Sequence, residues 1–159
     1  MKSTILNKFK EDLENKKIAI WGLGKEGIST LQFIQNNNIR YKELGILDQK
    51  DFPEIEGVKK LSNPEELNEY DLIFKSPGIV ADATIIDIEK LTSQTEEFIK
   101  ILSKQIIGIT GTKGKSTTSS LTYTILKKYY PNTVLVGNIG IPCFNAINEI
   151  DEDTKIVFE

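Results

Sequence analysis

Two glycine-rich loops carry the residues of this chain that could do chemistry. The longer is Gly108-Ile109-Thr110-Gly111-Thr112-Lys113-Gly114-Lys115-Ser116-Thr117. Its glycines let a backbone approach a ligand closely, and Lys115 and Ser116 add a cation and a hydroxyl. Together these make an ATP phosphate cradle: backbone N–H groups around the phosphates, the lysine on the β- and γ-phosphates, the serine on magnesium. Strict spacing asks for glycine five residues before Gly114, where Ile109 stands, so the match is to a variant in which Gly108 and Gly111 flank the turn. The shorter loop, Gly22-Leu23-Gly24-Lys25-Glu26-Gly27, has G-x-G-x-x-G spacing, and Asp48 lies 21 residues beyond Gly27. In a dinucleotide-binding lobe a ribose-binding acid stands there. For this loop three readings stay open: NAD or FAD, another nucleotide or diphosphate, and plain packing. Ser76-Pro77-Gly78-Ile79 follows a strand-like run and would lie on the same carboxyl edge, or be an ordinary turn.

Such loops work only if a strand delivers the backbone and a helix N-terminus meets the ligand. The sequence supplies both, twice. Lys17–Trp21 is a short apolar run ending in glycine and predicts a buried strand. Ile28, Leu31 and Ile34 recur at helical spacing until the Asn36–Asn38 run. Tyr41–Leu47 predicts a second strand. Asn63-Pro64-Glu65-Glu66 predicts a helix start, with a capping Asn, a first-turn Pro and acids at the dipole's positive end. Asp71–Lys75 predicts a third strand, followed by a helix around Ala83–Lys90 and another over Thr95–Leu102. Then come a strand at Gln105–Thr110, a long helix at Ser116–Tyr130, a strand at Thr133–Val136, a short helix and a last strand at Lys155–Phe158. The alternation implies an α/β fold of parallel sheets with helical crossovers. A boundary near Ser103 gives lobes 1–103 and 104–159. The second lobe is short for a doubly wound domain, which usually needs ~100 residues or more, so it reads as the incomplete start of one.

Composition narrows the chemistry. The 159 residues are 39% hydrophobic and 27% charged, with a net charge of −3; this is globular composition, with no electrostatic reason to expect nucleic acid. Histidine is absent and Cys143 is the lone cysteine. That excludes a His-based triad, a His metal site and an intrachain disulfide, and it fits a reducing compartment. Cys143 reads as a small buried hydrophobe. No signal-peptide pattern opens the chain and no apolar run reaches the ~18 residues that span a bilayer, so the expectation is a soluble, cytoplasmic protein without membrane insertion.

A phosphate-loop lobe preceded by a Rossmann-like lobe is an uncommon pairing, and the chain resembles the Mur ligase family. The match runs through Trp21–Ser29 (WGLGKEGIS), Lys75–Ile79 (KSPGI), Ile109–Thr118 (ITGTKGKSTT), Val136–Pro142 (VGNIGIP) and Ile156–Glu159 (IVFE). Within the family, the first-lobe segments point to the member that adds D-glutamate to UDP-N-acetylmuramoyl-L-alanine in peptidoglycan precursor synthesis. The resemblance implies a three-domain enzyme, of which this sequence would hold the UDP-binding domain and the opening of the ATPase domain.

The same resemblance implies site residues. Gly24, Lys25, Glu26, Asp48, Gln49, Lys50, Ser76, Pro77, Gly78 and Ile79 would line the UDP site. Gly111, Thr112, Lys113, Gly114, Lys115, Ser116 and Thr117 would hold the ATP phosphates, with Ser116 and Glu159 on Mg²⁺. Asn138 would contact the muramoyl substrate beside the reacting carboxylate, joining Lys115 and Glu159 as catalytic residues. Two departures stand out: Lys113 sits where the family often has Asn, and Gln49-Lys50 differs from other members. The implied activity is ATP-dependent amide-bond formation through an acyl phosphate, with UDP-N-acetylmuramoyl-L-alanine and glutamate as substrates. This chain alone is expected to be inactive and, through exposed strand edges, to self-associate. The alternatives are another Mur-type ligase, a folyl-polyglutamate synthase-like enzyme, an NAD-dependent oxidoreductase and a non-catalytic binding module.

Overall fold

In a computed structural model, which describes residues 2–159 and side chains from Thr4 onward, the chain divides into two compact units. One is Lys10–Gln94; the other combines the residues up to Phe9 with Thr95–Glu159. Among the described residues no helix is long and apolar enough to cross a membrane.

The unit Lys10–Gln94 is built on a five-stranded parallel sheet. Its strands are β1 (Lys17–Trp21), β2 (Glu43–Leu47), β3 (Lys59–Lys60), β4 (Leu72–Lys75) and β5 (Leu91–Thr92), in the order β3-β2-β1-β4-β5. Every neighbouring pair is parallel. Strand β1 lies at the centre, and its residues from Ile18 to Trp21 are all buried, as expected where both faces of a parallel sheet are covered. Helix α2 (Lys25–Asn36) returns from β1 to β2 and buries Leu31, Phe33 and Ile34. Burying each such side chain contributes roughly 1.5–3 kcal/mol. Gly45 in β2 leaves room for the Tyr70 ring, which stacks where a Cβ would stand.

The Thr95–Glu159 unit carries a three-stranded parallel sheet of β6 (Ile106–Gly108), β7 (Thr133–Val136) and β8 (Lys155–Phe158), in the order β6-β8-β7. Helix α3 (Gln94–Leu102) precedes β6, α4 (Lys115–Tyr129) joins β6 to β7, and the short α5 (Cys143–Ala146) follows β7. Phe98 of α3 lies 6.2 Å from Phe158 at the end of β8. Phe9 lies 5.7 Å from Phe144, edge to face. Cys143 is buried and free.

The mixed α/β architecture and parallel sheets are those anticipated from the sequence. One expected element is absent. Instead of a helix over Ala83–Lys90, residues 82–87 form turns, and only Ile88–Lys90 makes a short 3₁₀ turn. The reason is local competition for backbone donors. The Asp82 carboxylate accepts from the Thr84 N–H at 2.9 Å and the Asp87 carboxylate from the Glu89 N–H at 3.1 Å, side-chain bonds that offer the backbone an alternative to the helix. Asn68 also draws the Ile85 carbonyl and the Asp87 N–H to itself. Three further elements escape the periodicity. The lysine-rich start forms α1 (Lys2–Leu13), with Ile5, Phe9 and Leu13 buried along one stripe. The two-residue strands β3 and β5 are too short to show a period of two.

Candidate functional site

The first glycine loop leaves the carboxyl end of β1 and is fastened on every side. The Gly22 N–H donates to the Leu47 carbonyl at 2.8 Å. Leu23 N–H donates to one oxygen of the Asp48 carboxylate at 2.5 Å, and Lys50 N–H to the other at 2.7 Å. Ser76 closes the loop from β4: its hydroxyl donates to the Gly22 carbonyl at 2.9 Å and its N–H to the Trp21 carbonyl at 2.9 Å. The Lys75 ammonium holds the following turn by donating to the carbonyls of Ser76 and Ile79. Gly27 is where the loop and α2 pack most closely, since a Cβ there would run into the Gly22 carbonyl oxygen.

These contacts frame a cleft of about 710 Å³ at the carboxyl ends of β1, β2 and β4. In an open parallel sheet that is where ligands bind. Of the expected residues, Gly24, Asp48, Gln49, Ser76 and Gly78 border it, as does Lys50, whereas Lys25, Glu26 and Pro77 do not. Glu26 instead borders a much smaller cavity with Lys75, Ser76 and Gln94, and burial raises its carboxyl above the ordinary value. The cleft also has an apolar wall of Trp21, Ile79 and Val80, and Val80 is 93% exposed. Helix α2 starts with Gly24 as its cap and no side-chain capping bond, so its first N–H groups are available to an anion.

Sequence reasoning overlooked Ser62 and Pro64 on the rim. They are placed by the capping box of Asn63 and Glu66. Glu66 N–H donates to the Asn63 side chain, and the Glu66 carboxylate accepts from the N–H groups of Ser62 and Asn63. The helix start was legible. Its place beside the cleft depends on β3, which carries no sequence signal.

The second loop lies in the other unit, and its own geometry is open. Strand β6 ends at Gly108, Ile109 N–H donates to the Phe158 carbonyl at 2.7 Å, and the turn runs to Gly114. Gly114 caps α4 with φ +75°, a left-handed conformation that favours glycine. Again no side chain caps the helix. Residues 111–114 and 116–118 are exposed and Lys115 is half-buried. Strand β8 lies between β6 and β7, so Glu159 at its end emerges between the phosphate-loop turn and the loop 137–142. The latter folds back over β7 through Gly137 N–H to the Ile141 carbonyl at 3.2 Å. Glu159 N–H donates to the Val136 carbonyl at 3.1 Å, and the Asn138 N–H reaches the Glu159 carbonyl at 3.4 Å. Asn138 and Glu159 are thus brought together. One Glu159 carboxylate oxygen is buried without a partner, an arrangement that suits a cation because a buried unpaired carboxylate oxygen is costly. The uncapped α4 terminus suits phosphate for the complementary reason.

Three relatives similar to this chain share one name. The chain is 34% identical over 170 residues to the UDP-N-acetylmuramoylalanine–D-glutamate ligase of Clostridium tetani, an alignment covering 96% of this chain and 36% of that enzyme. With the enzyme of the same name from Ruminiclostridium cellulolyticum the identity is 31%, over 97% of this chain and 36% of the relative. With that of Clostridium novyi it is 32%, over 100% and 38%. No protein-family model matches. The chain therefore belongs to the Mur ligase family, and it spans little more than a third of the length of the UDP-N-acetylmuramoylalanine–D-glutamate ligases it matches.

Proposed function

We propose that this chain carries the nucleotide-sugar-binding and ATP-phosphate-binding parts of a peptidoglycan-precursor ligase that adds D-glutamate to UDP-N-acetylmuramoyl-L-alanine. The observation that carries the reading is the pairing of two uncapped helix N-termini behind glycine loops, at the carboxyl edges of two separate parallel sheets. One is walled by a cleft of nucleotide size, and the other stands beside a carboxylate with an unpartnered oxygen.

In the first unit, the N–H groups opening α2 bind the UDP diphosphate. Asp48, Gln49 and Lys50 face the ribose and base, and Trp21, Ile79 and Val80 provide apolar contact. In the second unit, the N–H groups from Gly111 to Thr117 surround the ATP phosphates and Lys115 neutralises the β- and γ-phosphates. Ser116 and Glu159 would hold Mg²⁺, which when bound withdraws charge from the γ-phosphate. The alanyl carboxylate attacks the γ-phosphorus, the bond to the bridging oxygen breaks, and ADP leaves. The glutamate amine then attacks the acyl phosphate, an N–C bond forms, and inorganic phosphate carries away the C–O electrons while the amine gives up a proton. Asn138 orients the acyl group. No side-chain nucleophile is needed, consistent with a chain that has no histidine and one buried cysteine.

The decisive experiment is calorimetry on the 159-residue chain. UDP should bind and NAD should not; NAD binding without UDP binding would replace the ligase reading with the oxidoreductase one. ATP should bind, and Lys115→Ala should weaken it about 10- to 100-fold, the value of a charge-assisted hydrogen bond of roughly 1.5–3 kcal/mol. Spanning about a third of its relatives, the chain alone should form no product from ATP, glutamate and UDP-N-acetylmuramoyl-L-alanine. The open outer edge of β6 and the exposed stripe Leu121, Ile125 and Tyr129 on α4 should make it self-associate, visible as a concentration-dependent mass in light scattering.

A further inference from the structure

Gln94 is a polar residue with 2% exposure. Its side-chain nitrogen lies 3.3 Å from the Glu26 carbonyl, 3.0 Å from the Ser29 hydroxyl and 3.1 Å from the Thr30 hydroxyl. The assignment of nitrogen over oxygen follows from the partners. Glu26 offers a carbonyl, which only accepts, and Thr30 already gives its hydroxyl hydrogen to that carbonyl at 2.9 Å. Both therefore require a donor from Gln94. The Gln94 oxygen is buried with no partner.

All three acceptors belong to the first turns of α2. That helix starts on a glycine without a side-chain cap, so no capping side chain of its own ties down the first turn. In front, Asp48 holds Leu23; behind, Gln94 holds Glu26, Ser29 and Thr30. As a source of stability Gln94 is a poor choice. Ordering its side chain costs conformational entropy and the orphan oxygen loses its hydration, while each neutral bond returns little net of the water it replaces. These terms nearly cancel, so what the arrangement supplies is position.

We infer that Gln94 is a positioning residue for nucleotide-diphosphate binding: it fixes the first turns of α2 so that the free N–H groups face the cleft. The inference rests on reading the cleft as the UDP site. Gln94→Leu in the full chain should weaken UDP binding about tenfold and speed amide exchange over residues 24–28 by a similar factor. Thr30→Val, which keeps the shape and removes one acceptor, should weaken UDP binding about threefold. Leu44→Ala, a truncation of a buried residue near the amino end of β2, on the opposite edge of the sheet from the cleft, controls for lost stability and should leave UDP affinity within about twofold.

Wild-type UDP affinity in both Gln94→Leu and Thr30→Val overturns the inference, and so does a loss of affinity in Leu44→Ala equal to that in Gln94→Leu. If Gln94→Leu does not fold, Thr30→Val decides alone. If the unaltered chain binds no UDP, the ligase reading fails. The exchange rates, which need no nucleotide, then judge the clamp, and unchanged rates in both variants reject it.

Discussion

The two glycine loops follow the same recipe of strand, glycine turn and uncapped helix, yet their glycines are glycines for different reasons. In the first loop the requirement is contact, with a φ of +97° at Gly22 added to it. A Cβ on Gly22 would lie 2.8 Å from the Ile79 side chain and 2.9 Å from the Ser76 hydroxyl, and one on Gly27 would meet the Gly22 carbonyl. In the second loop a Cβ on Gly108 or Gly114 would meet nothing within 4 Å. There the requirement at Gly114 is conformation, φ +75°, and the space beside the loop is free. The first loop is shaped by its own protein. The second has its shape held by few protein contacts and has open space beside Gly108 and Gly114. One motif can therefore mark a preformed site or an open cradle, and the letters alone do not distinguish them.

The largest expected effect tests the contact side. Gly27→Ala places a methyl against a backbone oxygen, which cannot move as a flexible side chain would. It should destabilise the chain by about 3 kcal/mol, the upper end of overpacking costs, measured as a fall in the urea midpoint at unchanged slope. A change under about 1 kcal/mol would mean that the first loop yields and is no better packed than the second. Gly114→Ala tests the conformational side. No clash results, but the left-handed backbone costs a residue with a Cβ about 1–2 kcal/mol, so a smaller loss is expected. A loss exceeding that of Gly27→Ala would invert the comparison.

How much of this could be read from the letters depends on what each feature rests on. The strands Lys17–Trp21, Thr133–Val136 and Lys155–Phe158 were legible to the residue, because short apolar runs bounded by turn residues have few other readings. The sheet orders β3-β2-β1-β4-β5 and β6-β8-β7 were not, since pairing is long-range and β3 and β5 have two residues each. Helix α1 was hidden because Ile5, Phe9 and Leu13 form a one-residue-wide stripe among lysines and acids. The Ala83–Lys90 helix was over-read because composition suits a helix while Asp82 and Asp87 claim the backbone donors. At the cleft, Gly24, Asp48, Gln49, Ser76 and Gly78 were legible because each stands in or just after a turn that closes a strand-like run, whereas Ser62 and Pro64 were not. Ser62 and Pro64 arrive through a capping box, and Gln94 through the start of α3. Lys25 and Glu26, although within the motif, turn out not to border the cleft, since a helix's first turn directs only some of its side chains to one edge.

Glu26 offers a finer test of how tightly the first loop is enclosed. Burial raises its carboxyl, so over some pH range the folded chain keeps a proton that the unfolded chain has already released. Stability is then fullest below the ordinary carboxylate range and declines as pH rises through the raised value. Glu26→Gln lacks this step. As pH rises through and above the ordinary carboxylate range, the melting temperature of the glutamine variant should gain on the wild type. Parallel curves would show that the site is wetter than its packing suggests, closer in character to the second loop.

The smallest effect is expected at Gly108, and it separates the two loops most cleanly because the substitution is the same one made at Gly27. Gly108 closes β6 with an ordinary negative φ, and no heavy atom lies within 4 Å of where a Cβ would go. Removing a glycine at a compatible position restricts the unfolded chain and gains about 0.4–1 kcal/mol. Gly108→Ala should therefore be neutral to slightly stabilising in the urea midpoint, with ATP affinity within about twofold of the wild type. Loss of ATP binding without loss of stability would mean that phosphate approaches the end of β6 so closely that a methyl excludes it. The glycine would then be required by contact after all, but contact with the ligand, and the two loops would differ only in which partner fills the space.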